Sequence, residues 1–96
     1  MGLRQSRQRR ISQQVTLWPD QLEVATTMPG AERLLQRFNP VQVRLRLRRD
    51  SFEKTTGIFL RHGDEEFELG AFLSSADKSS FAKAFGGALR QARRTH

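Results

Sequence analysis

Residues 41–48, Val-Gln-Val-Arg-Leu-Arg-Leu-Arg, alternate apolar and polar without a slip. In a strand successive side chains point to opposite faces. Val41, Val43, Leu45 and Leu47 therefore share one face, and Gln42, Arg44, Arg46 and Arg48 share the other. Such a strand is half-buried and needs a sheet with one wet side. The rest of the chain has to supply neighbouring strands and a cover for the apolar face.

At 96 residues the chain has room for one domain and one modest core. Its hydrophobic share of 36% is low, but seven Phe and one Trp give that core bulk. With no Cys, thiol catalysis, disulfides and Cys-based zinc sites are excluded. No stretch approaches the roughly 18 apolar residues of a membrane span. The net charge of +7 sits at the ends. Residues 1–10 carry four Arg and no acid, and residues 74–96 carry five basic groups against one acid. Residues 41–73 balance six against six. Basic ends on a near-neutral body suit an anionic surface, or solubility, better than a dedicated nucleic-acid face.

Residues 1–14 are polar and Arg-rich, with Arg4, Arg7, Arg9 and Arg10, and read as a flexible arm ahead of a single domain over 15–96. The opening Met1-Gly2-Leu3-Arg4-Gln5-Ser6 also fits an N-myristoylation pattern. A juxtamembrane flank and a solvated tail are the other readings of the same residues.

Three hairpin-like units follow. Trp18-Pro19-Asp20-Gln21 is a turn that sets Leu17 opposite Leu22 and Val15 opposite Val24. Trp18 then caps the edge of the core or lies at a membrane interface. Met28-Pro29-Gly30-Ala31 reads as a type II turn. Residues 31–38 have helix propensity but room for only two turns between Pro29-Gly30 and Asn39-Pro40, so we read a strand with Leu34 and Phe38 inward. His62-Gly63-Asp64-Glu65 joins strands over 55–61 and 65–69. That register pairs Leu60 with Phe67 and Ile58 with Leu69 on one face, and Arg61 with Glu66 and Phe59 with Glu68 on the other.

Ser74 reads as the N-cap of a closing helix, with Asp77 near its N-terminal dipole. Phe81, Phe85, Ala88, Leu89 and Ala92 form its apolar stripe. Gly86-Gly87 interrupts the helix for close approach to the sheet or for a kink. Neither the acidic run Asp64-Glu65-Glu66 with Glu68 nor the His62/Asp64 pair has the third group that a metal or catalytic site needs. The sequence calls for no catalytic residue, metal or cofactor.

Phe38-Asn39-Pro40-Val41-Gln42-Val43-Arg44, Glu68-Leu69-Gly70-Ala71-Phe72-Leu73 and the Ser/Lys-rich helix ending Ala88-Leu89 together resemble a proteobacterial family of integral-membrane proteins, domain-of-unknown-function family 2244. The resemblance covers roughly residues 8–93. Val41 and Gln42 stand where the family usually has aromatics. The resemblance implies two transmembrane helices ahead of this region, and hence a piece of a longer protein with its soluble part in the cytoplasm. On that reading the arginines of residues 4–10 are a positive-inside flank, which argues against myristoylation. The family carries no assigned catalytic residues.

The expected fold is α+β: about six antiparallel strands in a curled sheet or partial barrel, pleckstrin-homology-like in element order, then one C-terminal helix. The expected role is a non-enzymatic cytoplasmic domain of a bacterial inner-membrane protein. It would touch anionic lipid, or an acidic protein partner, through Arg4, Arg7, Arg9, Arg10, Arg44, Arg46 and Arg48. A nucleic-acid module using the same arginines, with Phe59 stacking a base, is the alternative.

Overall fold

The computed structural model describes residues 2–8 and 11–94, with side chains from Ile11 onward. Its strands are β1 (Gly2–Gln8), β2 (Ile11–Leu17), β3 (Leu22–Thr27), β4 (Leu34–Phe38), β5 (Val43–Arg49), β6 (Thr55–His62) and β7 (Glu65–Glu68). A short 3-10 turn, Pro40–Gln42, precedes β5, and helix α1 (Ser75–Arg94) closes the chain. β1 to β4 form one antiparallel sheet in chain order, and β5 to β7 form a second. The fold is thus α+β, as the alternation required.

Most of the expected register is present. Leu17 faces Leu22 and Val15 faces Val24 across β2 and β3. Leu60 faces Phe67 and Arg61 faces Glu66 across β6 and β7, and Leu69 N–H donates to the Ile58 carbonyl at 2.8 Å. Two apolar sheet faces and one helix stripe then meet in a single core: Val15, Leu17, Leu22, Val24, Val43, Ile58, Leu60, Leu69, Phe81, Phe85 and Leu89. The Phe81 and Phe85 rings stack at 5.5 Å. Ser74 caps α1, its Oγ accepting from Asp77 N at 3.2 Å. The helix runs unbroken through Gly86-Gly87. A Cβ on Gly86 would stand 3.3 Å from Leu45 Cδ2, so this glycine serves close approach to β5.

Four expectations change. Gly2–Gln8, expected within a flexible arm over 1–14, pairs with β2, and β2 itself starts at Ile11 rather than Val15. The free edge of β2 offers N–H and C=O groups that a polar stretch satisfies through its backbone alone, so no apolar alternation is needed. Met1, Arg9 and Arg10 lie outside the described residues. The strand after Asn39-Pro40 begins at Val43: Asn39 Oδ1 accepts from Val41 N at 3.0 Å and holds a 3-10 turn that leaves Val41 exposed. β4 is a strand as read, but Leu34 is 56% exposed, because it sits at the open end of the ladder opposite Thr26. Gln36 and Phe38 are its inward residues.

A polar tie missed in the sequence joins the sheets. Gln13 on β2 is 8% exposed; its Oε1 accepts from Gly70 N at 2.9 Å and its Nε2 donates to Thr26 Oγ1 at 3.2 Å.

Candidate cationic face and groove

The outward face of the second sheet carries Arg44, Arg46 and Arg48 on β5, Phe59 and Arg61 on β6, and Glu66 and Glu68 on β7. The three arginines of the row have different surroundings. Arg46 reaches past β6 to Glu66, Nε to Oε2 at 2.8 Å and Nη2 to Oε1 at 2.7 Å. Its guanidinium also lies 4.6 Å from the centre of the Phe59 ring. Arg48 lies 5.4 Å from the same ring and bonds to the Thr56 hydroxyl. Arg44 has no carboxylate partner among the described residues and bonds only to the Val41 and Val43 carbonyls.

The electrostatics follow this geometry. The hydrogen bond from Arg46 holds the Glu66 carboxyl below its ordinary value against an opposing desolvation, with the charges of Arg46 and Arg61 assisting. The same hydrogen bond raises Arg46. The Arg61–Glu66 ion pair that their facing positions suggest does not form, because Arg61 Nε turns to the Gly63 carbonyl. Phe59 packs back over Gly57, where a Cβ would meet its ring at 2.7 Å. Two guanidiniums thus lie against this ring.

Around the edge of β5 the face continues into a groove of about 740 Å³ between β5 and α1. Its floor is Leu45, Leu47 and Leu89, and its rim is Arg44, Arg49, Lys83, Arg90 and Arg93 with Glu53 the one acid. None of these cations pairs with a carboxylate among the described residues. Arg93 donates Nη2 to the Val43 carbonyl, while its buried Nε has no partner. Burial, and next the charge of Arg44, push Arg93 below its ordinary value. Sequence reasoning found the Arg44/Arg46/Arg48 row but not this groove. Arg90 and Arg93 follow the helix stripe at a spacing that sets them on its flank, and only the docking of α1 beside β5 brings them to Arg44.

Of the other candidate residues, Arg4 lies on β1 opposite Gln14, and Arg7 falls at the irregularity of that ladder between Ser6 and Gln8. Trp18 sits at the β2–β3 turn, 43% exposed. His62 packs its ring 5.5 Å from Phe38 rather than against Asp64. Among the described residues no helix is long and apolar enough to cross a membrane, and no three His, Cys, Asp or Glu gather as metal ligands.

No curated protein and no solved structure matches the chain. A family model does, over residues 3–89, and its description is an integral membrane protein, DUF2244. That span takes in both sheets and most of the helix, so the chain belongs to this family of integral membrane proteins.

Proposed function

We propose that this chain is the non-enzymatic, cytoplasmic part of a bacterial inner-membrane protein, and that its arginine face rests against anionic lipid headgroups. The observation that carries the reading is the conjunction of an integral-membrane family with Arg44, Arg48 and Arg49 on β5, which pair with no carboxylate among the described residues. Arg44 is the centre of this contact, because its charge is not already used within the fold. Arg46 and Arg48 follow it along β5, and Arg4, Arg7, Arg9 and Arg10 add further charge. An Arg-rich segment beside a membrane favours the cytoplasmic side.

Co-sedimentation with phosphatidylglycerol and with phosphatidylcholine vesicles tests the reading. The chain is expected to pellet with the anionic vesicles only, and less so at high salt. Each basic residue near such a surface contributes about 1 kcal/mol, so changing Arg44, Arg46 and Arg48 together to Gln should weaken binding by roughly a hundredfold. Equal pelleting of parent and variant would move the contact away from β5. No pelleting of the parent would end the lipid reading.

A further inference from the structure

The groove has one property that a lipid contact does not use. Among the described residues β5 is an edge strand, hydrogen-bonded to β6 alone. The Val43 carbonyl turns away from β6 to meet Arg93. On β6 the Ile58 carbonyl, opposite Leu47, turns away from β5 to meet Leu69 N. In an antiparallel ladder residues two apart orient their N–H and C=O alike. Leu45 and Leu47 therefore present both backbone groups to the open edge, as Val43 does. An unpaired edge of this kind is a template for one more strand.

We propose that an extended acidic peptide segment of a partner protein adds to β5 as a fourth strand of the second sheet, between β5 and α1. The backbone of Leu45 and Leu47 supplies the ladder. The half-buried side chains of the same two residues give the added strand an apolar face to cover. The five cations of the rim against the single Glu53 select for Asp and Glu on the peptide, and the same charges repel basic strands. A carboxylate entering beside Arg44 and Arg93 also relieves the like-charge pair there. The volume of about 740 Å³ holds several residues of extended chain rather than a lone ion. This proposal rests on the groove and its backbone edge, and stands whether or not the outer face meets lipid.

The test uses the full chain and a fluorescent octapeptide of alternating Glu and Val. Controls are the same peptide N-methylated at every second residue, inorganic phosphate, and phosphatidylglycerol vesicles. Binding is read by anisotropy, and amide hydrogen exchange is read residue by residue. The expected result is peptide binding with slowed exchange at Leu45 and Leu47, absent with phosphate or vesicles. The methyl groups are placed on the Val residues, whose N–H groups face Leu45 and Leu47 in an antiparallel ladder with Val over the apolar floor, and should abolish both signals. Lys83 and Arg90 are exposed and remote from the core, so Lys83→Gln with Arg90→Gln keeps the fold and should weaken binding about tenfold. Equal binding of the N-methylated peptide would overturn strand addition and leave charge alone. Binding without protection at Leu45 and Leu47 would overturn it as well, as would failure of the peptide to bind. Concentration-dependent self-association that protects the same two amides without peptide would replace the partner with a second copy of the chain.

Discussion

Glu66 has Arg61 directly across the ladder and Arg46 one strand further, and it binds the farther one. Arg61 turns to the Gly63 carbonyl, and the Phe59 ring supports the Arg46 guanidinium on its way across β6. The consequence is measurable by carbon NMR of the Glu66 carboxyl. Its folded pKa should lie below the ordinary range, and Arg46→Gln should return it there. Because the folded value is depressed, the pair stabilises the fold above the unfolded pKa and stops doing so as pH falls through the folded one. The pair is solvent-exposed, so the acid transition of the whole protein should move little. Alternation made the arginine row legible as a row. It could not say which arginine finds a carboxylate, since side chains this long choose partners two strands away by what supports them en route.

Hairpins were the most legible elements, because turn chemistry and face matching constrain the same register independently. Leu17 opposite Leu22 and Leu60 opposite Phe67 are both satisfied only by the ladder that forms. The capped helix was legible for a similar reason: Ser74 and the stripe from Phe81 to Ala92 agree on its phase. β1 was illegible, since Gly2–Gln8 pairs by backbone and has no alternation to read. The groove was illegible too, because it belongs to no single element. Within the helix the two adjacent glycines should now separate. A Cβ on Gly87 meets nothing closer than Arg90 Nη2 at 3.9 Å, so Gly87→Ala should raise stability by about 1 kcal/mol in a urea titration. Gly86→Ala gains the same helix propensity but sets a methyl 3.3 Å from Leu45 Cδ2. Its net gain should fall short of that at Gly87, and an equal gain would show that α1 does not need the close approach.

At the scale of the molecule, two sheets contiguous in the chain share one core, and Gln13 ties them across 57 residues of sequence. Gln13→Leu fills the same space but leaves the buried Gly70 N–H without an acceptor. It should cost about 1–3 kcal/mol by chemical denaturation, with exchange at the Gly70 amide rising more than at Val24 or Leu60. A uniform rise would mean that the tie carries no local role. The sequence reading placed Gln13 in the polar arm, because a buried amide leaves no pattern; its burial depends on the distant Gly70.

The order of the elements has a consequence for synthesis. The first sheet is complete at Phe38, while its apolar face, Val15, Leu17, Leu22 and Val24, is still bare. Ile58 and Leu60 come next in the chain, and Phe81, Phe85 and Leu89 follow them. A ribosome making this region therefore holds a sticky half-sandwich until those later residues have left it. Commitment to the fold waits on α1, and until it docks the bare apolar face is open to aggregation.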